Sequence, residues 1–236
     1  MSSRSPRVRR QRAVARAARR RMVWRLGSAV VVALAVVAVL IVAGRPENDL
    51  PEVEAARVDY GEIPTSGWTL GQPNAPVTVV AWADYQCPYC GVFARDVEPR
   101  LIAEYVATGR VRFEFRPLPF LGDESVQATE AAACALDQGQ FWGFHETLFA
   151  NQHGENEGAF SDERLRSMAR QLRLDEHQFD QCLDGATHEA EVGTMRDEAR
   201  RQGITSTPTL AVNGTIVPSW DYATLKQAID AALAVR

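Results

Sequence analysis

Cys87 and Cys90 stand three positions apart and enclose Pro88 and Tyr89 in a C-x-x-C. Such a pair can exchange disulfides, hold half of a metal site, or form an inert crosslink. A structural zinc site needs two more Cys or His ligands at short spacing. None lies nearby, and His145, His153, His177 and His188 are scattered through a later polar region, so no metal is predicted. Thiol–disulfide exchange needs a thiolate beside a second thiol, and the flanks of the motif favour it. The apolar run Val77 to Ala83 reads as a buried strand, and Gly91 to Thr108 has a helical apolar pattern. Cys87 therefore falls near a helix N-terminus, where unpaired N–H groups and the helix dipole stabilise negative charge. Pro88 lacks an N–H and presets the first helical turn.

A second element lies about 120 residues downstream, at Thr205-Ser206-Thr207-Pro208. Pro208 precedes a short apolar strand, a position that proline tolerates. X-Pro bonds are the common cis peptides. A cis bond here would turn the backbone of Thr207 toward an extended partner chain; a plain trans loop proline is the competing reading.

Together, Asp84-Tyr85-Gln86-Cys87-Pro88-Tyr89-Cys90, Gln138-Gly139-Gln140-Phe141-Trp142-Gly143-Phe144-His145, and Thr205 to Pro208 with Val212-Asn213-Gly214 resemble the DsbA-like thioredoxin family, in particular its membrane-anchored bacterial members. The resemblance runs from about Leu70 to the C-terminus. It implies a thioredoxin-like α/β fold with a helical insertion, at about 121–202. It implies Cys87 as the exposed, attacked sulfur, Cys90 as the more buried resolving thiol, and Thr207 and Pro208 as the substrate-binding loop. It also implies re-oxidation by a quinone-coupled membrane partner of the DsbB or VKOR type, with no organic cofactor. Two positions depart from the family pattern. Tyr89 stands where strong oxidases often have His, and Ala81 stands where a buried Glu is common. Asp84 is the nearest acid, so Cys90 is expected to exchange protons with water or Asp84.

Charge places the protein. Residues 1–25 carry ten Arg and no acid, and Leu26 to Gly44 is an uncharged run of nineteen residues. At helical rise that run would reach roughly 28 Å, close to a bilayer core. The expectation is a transmembrane anchor at 26–44 with the basic tail 1–25 cytoplasmic and the rest extracytoplasmic. Ile41-Val42-Ala43 is a poor cleavage site for the competing signal peptide, and Arg20-Arg21 is a weak twin-arginine signal. Residues 46–236 carry fifteen basic against thirty acidic side chains, a formal −15, so nucleic acid is not an expected partner. Lys226 is the single lysine among twenty-five Arg, read here as codon bias. Residues 45–70, with Pro46, Pro51 and Pro64, read as a tether, and 71–236 as the domain.

Within it, Phe93, Val97, Leu101 and Tyr105 make one helical stripe that Pro99 should kink. Val111 to Arg116 alternates like a half-buried strand. Glu124 to about Gln202 reads as helical, with stops near Gly139, Gly158 and Gly185. Strands return at Thr209–Val212 and Thr215–Val217, before a last helix from about Asp221 to Ala234. Trp142, Phe144, His145 and Phe149 read as packing. The four cysteines allow three pairings; we choose 87–90 with a structural 134–182, against two buried free thiols. The latter bridge would close a loop of about 47 residues.

The reading is a membrane-tethered thiol–disulfide oxidoreductase acting on exported, unfolded proteins, most simply as an oxidase. The alternatives are a reductase or isomerase, or a non-catalytic chaperone-like module that binds peptides beside Pro208. An isomerase of this superfamily usually carries an added dimerisation domain, for which the tether is too short.

Overall fold

The computed structural model describes residues 50–56 and 60–235. The tail at 1–25 and the apolar run at 26–44 lie outside the described residues. Among the described residues, no helix is long and apolar enough to cross a membrane.

Six strands form one mixed sheet: β1 (Thr65–Ser66), β2 (Thr69–Leu70), β3 (Val77–Ala83), β4 (Val111–Pro117), β5 (Thr209–Val212) and β6 (Thr215–Ile216), in the order β1-β2-β4-β3-β5-β6. β3 is buried along nearly its whole length because both faces are covered. Val79, Ala81 and Ala83 join the main core, while Val80 and Trp82 pack on the opposite side with Leu118, Ala199 and Ile204. β3 pairs parallel with β4 and antiparallel with β5. A parallel pair needs a crossover, and that crossover is the cysteine helix. In the antiparallel register Trp82 sits opposite Thr209. This brings Pro208 beside the end of β3, where the C-x-x-C loop begins.

The cysteine helix, α1, has four successive segments: Pro88–Val92, Phe93–Val97, Glu98–Leu101 and Ile102–Val106. The second and fourth are π-helical. Pro99 has no N–H, and its ring crowds the carbonyl four residues back. The wide turn before it accommodates this: Glu98 N–H donates to Phe93 O, five residues back. The same turns explain the stripe. A residue repeated every four positions overshoots an ideal α-helical turn by about 40°. Wider π turns correct the drift, so Phe93, Val97, Leu101 and Tyr105 all stay buried.

The insertion holds α2 (Asp123–Leu136), α3 (Phe141–Ala150), α4 (Asp162–Gln171), α5 (Glu176–Asp184) and α6 (Glu189–Arg201); α7 (Tyr222–Ala234) closes the chain. Gly139 and Gly158 take positive φ at the expected stops. A further break after α4 uses Arg173 at φ 60°, a residue type that gives no stop signal. Asp221 caps α7 by accepting from Thr224 N–H. Lys226 has a structural part beyond composition: its Nζ donates to Tyr105 Oη at 2.8 Å and to Asp230 at 2.8 Å, joining α7 to α1.

The tether expectation at 45–70 needs correction. β1 and β2 form a hairpin whose second strand pairs with β4, and Leu70 is fully buried. Upstream, Glu54 N–H donates to Asn151 Oδ1 and Asn151 Nδ2 donates to Glu54 O, at 3.0 and 2.7 Å. Residues 50–56 and 60–70 therefore belong to the folded domain. Strands of two residues carry no alternation to read, and the prolines mimic a linker.

Cys134 of α2 and Cys182 of α5 are bonded, 48 positions apart. Closing a loop of that length restricts the unfolded chain. Replacing both by Ala should lower unfolding free energy by about 4 kcal/mol, measured by urea denaturation with Cys87 and Cys90 held reduced in both proteins.

Candidate active site

Cys87 is the N-cap residue of α1, and Pro88 opens its first turn. The loop before it is held by Asp84, which is buried. Its Oδ1 accepts from Gln86 N–H at 2.8 Å and from Ser125 Oγ at 2.7 Å. Its Oδ2 accepts from Phe120 N–H at 2.8 Å and Leu121 N–H at 3.1 Å. With both oxygens engaged, Asp84 fixes the strand-to-helix turn and ties it to α2. These four contacts give Asp84 a structural role in the turn.

The two thiols are free. Cys90 is fully buried, and Cys87 keeps only 6 % exposure, so it is less open than expected but is still the accessible one. Its Sγ donates to the Thr207 carbonyl at 3.5 Å. The Thr207–Pro208 bond is cis, as the loop reading required. Thr207 Oγ1 is buried and has no hydrogen-bond partner among the described residues.

These surroundings push the two sulfurs apart electrostatically. The Cys90 S–H, directed at Cys87, does most to lower the Cys87 pKa. Burial opposes it, and the Thr207 side chain and the N–H groups of Cys90 and Tyr89 lower it further, to about 6. Cys90 moves far the other way, chiefly because burial disfavours its thiolate, and secondarily because of its bond to Cys87 and the nearby charge. One thiol is set to ionise and the other to keep its proton.

Gln152, which sequence reasoning missed, completes the site. Its Nε2 donates to Tyr85 O and Cys87 O, both at 2.8 Å. It reaches them across Gly91, where a Cβ would collide with Gln152 Oε1. Gln86 makes a second bridge: its Nε2 donates to Ser125 Oγ at 2.8 Å, and its Oε1 accepts from Asn156 N–H at 2.5 Å. A glutamine in a polar loop carries no signal, but Gly91 inside a helical pattern hints at a close approach.

Tyr89 is 64 % exposed and stands 6.2 Å from the ring of Trp220, while Phe120 is also exposed. Tyr89, inside the C-x-x-C, and Trp220 beside it give the dithiol an apolar border. Ala81 is fully buried in the main core, with no acid from β3 beneath the thiols. Cys134 and Cys182 lie within the insertion. Trp142, Phe144, His145 and Phe149 are buried as expected. His145 is only half satisfied. Its Nδ1 bonds the Tyr85 hydroxyl at 3.1 Å, but its Nε2 has no hydrogen-bond partner.

The family model described as "Thioredoxin" matches residues 64–231. Disulfide bond formation protein D of Bacillus subtilis is 32 % identical over 168 residues, covering 70 % of this chain and 76 % of that protein. The crystal structure of oxidised BdbD from Bacillus subtilis superposes with a TM-score of 0.67 at 28 % identity, covering 78 % of this chain and all of that one. The thiol–disulfide exchange protein alpha-DsbA2 from Wolbachia pipientis gives 0.59 at 26 % identity, covering 69 % of this chain and 85 % of that one.

The Cys87 environment sets a pH signature. Its folded pKa, about 6, lies below the ordinary thiol value of 9.0. The stabilisation it gives the reduced protein is therefore full above the ordinary value and lost as pH falls through about 6. Reduced protein should be more stable than oxidised protein at pH 7, with the margin shrinking toward pH 5. Paired denaturation curves at both pH values check this, and a margin independent of pH would contradict the ionisation of Cys87.

Proposed function

This chain belongs to the thioredoxin family as a DsbA-like thiol–disulfide oxidoreductase, and we propose that it runs in the oxidising direction, introducing disulfides into exported proteins from a membrane-tethered position. The observation that carries the direction is the placement of the thiols: Cys87 caps the start of α1, where the Cys90 thiol and the first N–H groups lower its pKa, and Cys90 is fully buried, which raises its own. A reduced form with a stabilised thiolate gives up its electrons reluctantly, which makes the disulfide form a strong oxidant.

The steps follow from that asymmetry. A substrate thiolate attacks Cys87 Sγ of the Cys87–Cys90 disulfide. A mixed disulfide forms, and the electron pair of the broken S–S bond leaves on Cys90, which takes up a proton because burial disfavours its thiolate. A second substrate thiolate then attacks the substrate sulfur of the mixed disulfide. Cys87 departs with the electron pair, and a thiolate of low pKa leaves faster than an ordinary one. The substrate has lost two electrons and the protein holds them as a dithiol. A quinone-coupled membrane oxidase of the DsbB or VKOR type is the proposed acceptor. The curated Bacillus relatives are named for disulfide bond formation, which supports the same direction.

Three features support extended, unfolded substrates. Thr207 O faces Cys87, Pro208 is buried, and Tyr89 with Trp220 offers apolar surface beside the dithiol. The net charge of the domain disfavours polyanions. The tether rests on the apolar run at 26–44 and the arginines before it.

The oxidised protein should accelerate disulfide formation in a reduced, unfolded substrate. A dithiol potential near that of thioredoxin, roughly −270 mV, would instead establish a reductase. Cys90→Ala should accumulate mixed disulfides with exported proteins, and Cys87→Ala should neither trap nor oxidise. If both variants protect unfolded clients as well as wild type does and neither traps, the chaperone-like alternative stands. Cell fractionation should find the mature chain in membranes with residues 26–44 retained. A mature N-terminus near Gly44 would mean a cleaved export signal.

A further inference from the structure

We propose that Glu98, His145 and Glu146 form a binding site for a divalent first-row transition metal, with Zn2+ the ion that fits. One ligand atom from each of the three lies within 4.8 Å of the others. Glu98 comes from α1, and His145 and Glu146 come from α3. No short ligand spacing marks such a set in the sequence, which is why it reads there as packing.

Both oxygens of Glu98 and Nε2 of His145 are buried without a hydrogen-bond partner. Buried ionisable groups are normally paired or bound to metal. Glu98 Oε1 and His145 Nε2 face one another at 3.4 Å. That is long for an N–H···O bond, which falls at about 2.7–3.2 Å. It matches two ligands on one tetrahedral ion: bonds of about 2.1 Å put neighbouring ligand atoms about 3.4 Å apart.

The outer partners fit the same assignment. Ligating histidines usually donate their other N–H to a fixed acceptor. His145 Nδ1 lies 3.1 Å from the Tyr85 hydroxyl, and donation there leaves the Nε2 lone pair aimed at Glu98. Ligating carboxylates are themselves hydrogen-bonded, and Glu146 Oε1 accepts from Tyr60 Oη at 2.6 Å. Glu146 also borders a cleft of about 700 Å³ lined by Tyr60, Ile63, Pro99, Ile102 and Val106, which gives an ion a route in. Imidazole suits zinc and its neighbours, whereas Ca2+ and Mg2+ take oxygen. The other grouping of this kind among the described residues, Cys134, Cys182 and His188, has its sulfurs committed to a disulfide.

An ion here would bind α1 to α3 beneath the active-site loop, through Tyr85. The test uses the full-length chain, stripped of metal and with Cys87–Cys90 oxidised, so that neither thiol can ligate. Calorimetry with Zn2+ should find one site. Tm should rise by roughly 5–10 °C at a hundredfold excess over Kd. Glu98→Gln and Glu146→Gln should each weaken binding at least tenfold. If a variant fails to fold, wild type still decides: bound Co2+ should give a ligand-field spectrum without sulfur charge-transfer bands, and Zn2+ should displace it. No Zn2+ uptake by oxidised wild type, undiminished uptake by both folded variants, or equal competition by Ca2+ would overturn the assignment.

Discussion

The fold is organised around one sulfur that prefers to be charged and one that does not. Cys87 sits at the start of α1, with the Cys90 thiol, the N–H groups of Tyr89 and Cys90, and the Thr207 side chain lowering its pKa. Cys90 lies one turn deeper, in the core. A disulfide between them erases the stabilised thiolate, and the proposed oxidising direction rests on that difference. The difference comes from depth and hydrogen bonding. It needs neither a histidine between the cysteines nor a buried acid on β3, and Tyr89 and Ala81 are compatible with it.

Several elements exist to hold that geometry. The parallel crossover from β3 to β4 puts the helix start at the strand's end, and the β3–β5 register delivers Thr207 and Pro208 there from far along the chain. Asp84 fixes the turn with four donors. The Cys87 carbonyl already accepts from Gly91 N–H at 3.1 Å, and unpaired main-chain carbonyls are costly to bury, so the Tyr85 carbonyl also needs a donor at this helix start. Gln152 supplies that donor and a second one to Cys87 O, and only a glycine at 91 leaves it room.

What could be read in the sequence was local in kind. The apolar run of β3, the alternation of β4, the stripe of α1 and the proline before β5 each signal within a few residues. Their chemistry, two thiols at a helix start, needs no distant partner to be recognised. The missing pieces depend on contacts between remote segments. β1 and β2 are strands only because β4 offers an open edge. The π turns of α1 follow from Pro99 meeting a stripe that repeats every four residues, a conflict that an ideal helix cannot resolve. Gln152, and the Glu98–His145 pairing, are decided by which helix of the insertion packs on α1.

The insertion is therefore part of the redox site. It contributes Gln152 to the carbonyls under Cys87, and Ser125 and Asn156 to the loop residues Asp84 and Gln86. Its aromatic side chains close over Tyr85, whose ring packs on Phe149 and Phe115. The Cys134–Cys182 bond fastens α2, which carries Ser125, to α5. Loosening the insertion should thus reach the dithiol through Asp84 and Gln152 before it unfolds the sheet. The structural disulfide thus fastens part of the scaffold that holds the catalytic pair, although neither sulfur pair takes part in the other's chemistry.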